Sequence, residues 1–237
     1  MLPYVAEFLG TMILIILGDG VVANTILNQS GMKGGGTVQI TFGWGFAVLL
    51  PAFIFGTTSG AHFNPALTIS LAAIGLFDWS LVLGYCIAQF LGAFTGAVLV
   101  YILFKKQFDA TEDPDTKRGI FCTAPAVPNV GLNLFSEIMG TFILVFAILG
   151  LNNVDNVGMQ GLNYLFVFGI IVSIGMSLGG LTGYAINPAR DLGPRIAHAI
   201  LPIRGKGSSN FNYGWIPVVG SVIGALIAAF LYKGMWL

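Results

Sequence analysis

Twice in this chain a small, glycine-containing stretch runs into Asn-Pro-Ala. The first copy is Ser59-Gly60-Ala61-His62-Phe63-Asn64-Pro65-Ala66; the second, 123 residues on, is Thr182-Gly183-Tyr184-Ala185-Ile186-Asn187-Pro188-Ala189. Proline suits the first position of a helix, where its missing N–H would be an orphan in any case. Asparagine before it is a good N-cap, because its side-chain oxygen accepts a backbone N–H of the first turn. Each copy therefore predicts irregular backbone entering a helix at an asparagine. The helical segments that follow, residues 65–76 and 188–201, fall short of the roughly 20 residues a bilayer crossing needs. A single Asn-Pro often marks a plain turn. Two copies in matching context constrain the whole fold.

The surroundings are those of a membrane protein. Only 8% of the 237 residues are charged and 56% are hydrophobic, with a mean hydropathy of +0.86. A soluble domain carries about 25% charged residues, so this composition excludes a water-covered surface. The reading is an all-α integral membrane protein with six spans, at residues 4–27, 38–55, 81–104, 134–151, 162–178 and 213–232. No positive charge precedes the first run, which reads as a retained span rather than a signal peptide. Residues 105–132 hold eight of the twenty charged residues and are expected to lie in water. The 33 glycines predict close helix–helix contacts. Formal net charge is zero, so there is no basic face for nucleic acid. Cys86 and Cys122 have neither disulfide nor metal-site spacing. The spans show no Ser–His pair, metal cluster or convergent carboxylates, so neither an enzyme nor a cofactor is expected.

The order of elements repeats. Ala6-Glu7-Phe8-Leu9-Gly10-Thr11 returns 130 residues later as Ser136-Glu137-Ile138-Met139-Gly140-Thr141, and Gly92 and Gly96 return as Gly220 and Gly224. Three spans per repeat is an odd number, so the second copy enters the membrane upside down. The expectation is one channel domain, 1–237, of inverted repeats (about 1–104 and 133–237) joined by the polar loop 105–132. Inverted repeats with interrupted segments at matching positions point to a site near the midplane, where the two half-helices meet N-terminus to N-terminus. The positive-inside rule, taken literally, puts Lys33, Lys105, Lys106, Arg204 and Lys206 inside and the N-terminus outside. With so few charges the rule has little to act on.

Asn64 and Asn187 are the first candidates. Each side chain accepts from its own half-helix while its NH₂ donates into the space between the two. Each helix N-terminus carries about half a positive charge, so facing ends repel cations and offer paired donors to a neutral oxygen. A water that accepts from both amides cannot pass a proton along the file. Non-helical backbone at membrane depth needs a wet surface or a protein partner, so carbonyls of Gly60-Ala61-His62 and Gly183-Tyr184-Ala185 are expected to form a ladder of acceptors. Glu7 and Glu137 are costly in a membrane; their symmetry suggests that they accept N–H groups from the irregular segments rather than relay protons. Arg190 must face water, carbonyls or a carboxylate. Asp191 and Arg195 form an i,i+4 pair. His62 packs beside the first motif, and His198 lies near the end of the second half-helix.

The doubled Asn-Pro-Ala, the paired glutamates and Asn187-Pro188-Ala189-Arg190-Asp191 together resemble the major intrinsic protein family, in its aquaglyceroporin or glycerol-facilitator branch, over nearly the whole chain. The resemblance implies a passive channel for glycerol, water and similar small uncharged solutes that excludes ions and protons. It also implies a homotetramer in a bacterial plasma membrane with a cytoplasmic N-terminus. Arg190 would be one wall of the narrowest constriction, with Trp44, Gly175 and Tyr184 as the others. Pro65, Ala66, Pro188, Ala189 and Asp191 would be structural support. Gly175 would leave room, Trp44 and Tyr184 would give apolar faces, and Arg190 would give donors, an arrangement suited to a polyol. Pro217-Val218 opens the sixth span where a water channel more typically shows two aromatics. The branch usually has Phe where Tyr184 stands, which leaves glycerol, dihydroxyacetone, urea and undissociated lactic acid all open as solutes. The competing readings are a water-selective channel, for which a His at position 175 would be typical, and a proton-coupled transporter using Glu7 and Glu137.

Overall fold

The computed structural model describes residues 1–156 and 161–237, and its regular elements are all helical. In chain order they are α1 (Leu2–Ile26), α2 (Gly36–Ser59), α3 (Pro65–Ala73), α4 (Trp79–Leu103), α5 (Lys105–Ala110), α6 (Pro114–Phe121), α7 (Val130–Gly150), α8 (Leu162–Thr182), α9 (Pro188–Ile200) and α10 (Phe211–Trp236). Among the described residues six helices are long and apolar enough to cross a membrane: α1, α2, α4, α7, α8 and α10. The other long elements, α3 and α9, are the two half-helices.

Local chemistry sets the boundaries. Asp78 and Asn129 cap α4 and α7 by accepting from Ser80 N and Leu132 N. Gly60 (φ 85°) and Gly183 (φ 82°) end α2 and α8 in the left-handed region, where a residue without Cβ carries no steric penalty. The first half-helix stops at Ala73 rather than the expected residue 76, because Gly75 turns the chain at φ 87°. The sixth span begins at Phe211, so Pro217 lies inside α10 instead of opening it. The apolar edge of a span is not the end of its hydrogen bonding, and most long helices run past it by a few residues.

The helices pack in a pattern that repeats between the halves. α1 lies along α4 as α7 lies along α10, and each half-helix rests chiefly on the other half: α3 on α10 and α9 on α4. The recurring glycines are the contact points. A Cβ on Gly92 would sit 2.3 Å from Phe8 O, and one on Gly224 would sit 2.2 Å from Ile138 O. These obstacles are backbone and cannot rotate away. Gly224→Ala is therefore expected to destabilise the bundle by about 1–3 kcal/mol, the usual range for overpacking. Gly234→Ala, at a helical site with nothing within 4 Å among the described residues, should be neutral or better. Thermal unfolding of the two variants in detergent checks this; equal midpoints would mean that α7 and α10 can separate without cost.

Residues 105–132 depart from the expected water-exposed loop. They form two short helices, and Phe108, Ile120, Phe121 and Cys122 are buried against the main core. Lys117 is buried too, its Nζ donating to Arg204 O. Charge count alone hid the apolar residues interleaved among the charges. Asp109, Glu112, Asp113 and Asp115 do stay exposed. Asp113 accepts from both Thr116 N and Thr116 Oγ1, bonds that cap α6 and hold its carboxyl below the ordinary carboxylate range.

Candidate functional site

The two motifs fold alike, residue for residue. Gly60 and Gly183 share a left-handed φ, as do Ala61 (53°) and Tyr184 (37°), and Phe63 (46°) and Ile186 (44°). Non-glycine residues enter this region at a cost of roughly 1–2 kcal/mol each, so the surroundings must hold them there. Glu7 and Glu137 supply that hold. Glu7 accepts from His62 N (3.0 Å), Phe63 N (2.7 Å), Ser59 Oγ (2.6 Å) and Gln89 Nε2 (2.8 Å). Glu137 accepts from Ala185 N (3.2 Å), Ile186 N (3.0 Å) and Thr182 Oγ1 (2.7 Å). Both carboxylates are fully buried.

Glu7→Gln turns one acceptor oxygen into a donor facing N–H or O–H donors. Leaving such buried groups unsatisfied costs about 1–3 kcal/mol, so membrane abundance should fall while the ranking of solutes stays as it is. A variant as abundant as wild type that has lost only proton-driven uptake would instead favour the proton-coupled reading.

Asn64 and Asn187 cap their half-helices through Oδ1: Asn64 accepts from Ala66 N, and Asn187 from Ala189 N and Arg190 N. Their NH₂ groups are more committed than the sequence suggested. Asn64 Nδ2 donates to Ile186 O at 2.9 Å, and Asn187 Nδ2 donates to Phe63 O at 2.8 Å. Each amide thus spends one N–H tying its motif to the carbonyl of the other, leaving one N–H for the space between. Pro65, Ala66, Pro188 and Ala189 are all buried behind these caps.

Two cavities meet at this centre. One, of about 690 Å³, is lined by Gly60, Ala61, His62, Asn64, Ala185 and Asn187, among others, and runs toward the α7–α8 connection. The second, of about 740 Å³, is lined by Thr37, Thr41, Arg118, Thr123, Gly175 and Gly183, among others. Three residues belong to both walls: Trp44, Tyr184 and Arg190. The Arg190 guanidinium lies 4.0 Å from the Trp44 ring centre, within cation–π range. Trp44 itself beds on Gly18, where a Cβ would meet the ring at 2.2 Å.

Gly175 lines the second cavity beside this trio, and its missing side chain makes room for the Tyr184 ring. A Cβ there would sit 2.8 Å from Tyr184 Cζ and 2.7 Å from Thr41 Cγ2; a Cβ on Gly179 would meet the same ring at 2.8 Å. The space that glycine leaves is filled by the Tyr184 ring. His62 Nδ1 pairs with Thr68 Oγ1 (3.1 Å) and His198 Nδ1 with Ser209 Oγ (2.8 Å).

Asp191 and Arg195 form a fully buried ion pair at 2.7 Å. Asp191 Oδ2 also accepts from Thr123 N and Oγ1, while Arg195 donates to Thr123 O, Ser209 O and Asn210 O. The pair clamps the stretch just after α6 against the second half-helix, and Thr123 and Cys122 form part of the second cavity's wall.

Asp19 escaped the sequence reading altogether. It lies in α1, fully buried, with Oδ1 4.0 Å from Arg190 Nη1. Its signal was the same as that of Glu7, a carboxylate inside an apolar span. Unlike Glu7 it has no echo in the second half, because Leu149 stands 130 residues further on.

Residues 2–232 match the profile of the family described as Major intrinsic protein. The probable glycerol uptake facilitator protein of Thermotoga maritima is 54% identical over 99% of this chain and 98% of its own length. The glycerol uptake facilitator protein of Bacillus subtilis is 50% identical, over 98% of this chain and 84% of its own. Among solved structures, the aquaglyceroporin from Plasmodium falciparum superposes with a TM-score of 0.84 at 32% identity, covering 97% of this chain and 94% of that one.

Proposed function

Since the chain belongs to the major intrinsic protein family, we propose that it is a passive membrane channel through which glycerol, water and similar small uncharged solutes diffuse. The observation that carries this reading is the meeting of two cavities at Trp44, Tyr184 and Arg190, alongside the two Asn-Pro-Ala caps. A solute crossing from one cavity to the other has aromatic rings on one side and guanidinium N–H donors on another. A polyol, with CH on one edge and OH on the other, satisfies both. A purely apolar solute leaves the guanidinium without acceptors, and a cation meets Arg190 and the positive ends of α3 and α9.

Glu7 and Glu137 support passive diffusion rather than proton coupling. Every oxygen of both carboxylates already accepts hydrogen bonds from the motif it holds. We take the two halves to be inverted repeats, the assembly to be a homotetramer and the N-terminus to be cytoplasmic. The paired hydrogen bonding of the motifs supports the first, and family membership supports the others.

The test is osmotic swelling of proteoliposomes against glycerol, dihydroxyacetone, urea and lactic acid, with and without a pH gradient. Glycerol flux well above that of empty vesicles and indifferent to the gradient is expected. Flux that follows the gradient would replace the channel reading with a coupled transporter, and water flux alone would make it a water channel.

A further inference from the structure

The charges around the passage leave a question that the channel reading does not answer. Arg190 and the N-termini of α3 and α9 are all positive, so the field that repels cations should draw anions in. Nearly every nearby carboxylate is committed elsewhere. Glu7 and Glu137 are engaged by backbone and side-chain donors of their own motifs, and Asp191 is engaged by Arg195 and Thr123. Asp19 is the exception. Among the described residues neither of its oxygens has a hydrogen-bond partner, nor does Arg190 Nη1, and these atoms face each other at 4.0 Å. Asp19 lines neither cavity. It follows Gly18, on which the Trp44 ring beds, so Arg190 has the ring at 4.0 Å and the carboxylate at 4.0 Å.

We propose that Asp19 sets the charge selectivity of the constriction: from behind the pore wall its carboxylate cancels the Arg190 charge, so the passage refuses anions as well as cations. The guanidinium keeps its N–H donors for a hydroxyl while losing the net attraction that would concentrate anions there. Because the gap exceeds a hydrogen bond, Asp19 acts by its charge and leaves those donors free. This rests on reading Trp44, Tyr184 and Arg190 as the constriction.

The test uses nitrate, which has no neutral form at neutral pH, with its uptake into filtered proteoliposomes measured by ion chromatography and glycerol swelling in parallel. Wild type should pass glycerol and exclude nitrate. Asp19→Asn, nearly isosteric but uncharged, should raise nitrate influx by about tenfold or more, the scale on which single-sign clefts concentrate counter-ions. Asp19→Glu should return it toward wild type, and the double variant Asp19→Asn/Arg190→Gln should also exclude nitrate, since it carries neither charge. An assembled Asp19→Asn that excludes nitrate as wild type does overturns the proposal, and so does a wild type that already passes nitrate. If Asp19→Asn fails to assemble, assembly of the double variant supports the charge pairing, and its failure overturns it. A wild type with no glycerol flux removes the constriction reading itself, a failure distinct from the others.

Discussion

Gly175→His closes the passage to glycerol and to water alike, and adding Tyr184→Ala reopens it to water alone. Any Cβ at 175 meets the Tyr184 ring at 2.8 Å and Thr41 at 2.7 Å. Thr41 is fixed by its bond to Thr37 O in the preceding turn, so the ring must move. On its other side lies the junction of the cavities it shares with Trp44 and Arg190. A displaced phenol fills that junction, and each flux should fall at least about tenfold, equivalent to ~1.4 kcal/mol on the barrier. Truncating Tyr184 gives the imidazole the vacated space. The passage is then narrow and lined by donors, which admits water but not a three-carbon polyol. Swelling rates of both variants decide it. Glycerol loss with water preserved in the single variant would mean that the ring can turn aside without entering the passage.

The second large effect is on ions. Arg190→Val removes the cation that stacks on Trp44 and leaves Asp19 buried without its counter-charge. Breaking a buried pair from one side costs about 3–5 kcal/mol, so the variant should be less abundant. In the molecules that do assemble, the positive charge that faced the passage is gone. A proton or cation leak should appear in a pH-dye assay under imposed voltage, and glycerol should still pass. Asn64 and Asn187 remain in place in this variant. Removing them as well would do more than take away donors, since their amides also join the two motifs. A wild type that conducts protons readily would defeat the mechanism, as would an Arg190→Val protein as tight as wild type.

How much of this was legible in the sequence depends on whether the signal was local. The half-helix starts at Asn64-Pro65 and Asn187-Pro188 were, because capping and the missing proline N–H act within one turn. The six spans were, because a bilayer crossing is a matter of length and polarity. The partners of Glu7 could be anticipated from its echo at Glu137. Contacts between residues distant in sequence that have no echo could not be. Asp19 reaches Arg190 across 171 positions, and no periodicity links them. Gly175 was read as empty space because a missing side chain does not say which neighbour fills the gap; the Tyr184 ring, nine positions away, does so here. The 105–132 segment was misread for a related reason. Its charges are conspicuous, while the packing of Phe121 becomes visible only when α6 is laid against α1 and α9, and that of Phe108 only when α5 brings its ring onto Phe121.

The crossed amides have a consequence for how the protein is made. Asn64 donates to a carbonyl 122 residues downstream, and Asn187 to one 124 residues upstream. At about 5–20 residues per second of synthesis, the first motif is complete on the order of ten seconds before its partner carbonyl exists. Over that interval α3 has no α10 to rest on, and the Phe63 carbonyl has no amide. The first half therefore waits in the membrane with its re-entrant segment unfinished. The passage closes around its solute path only when the second half arrives.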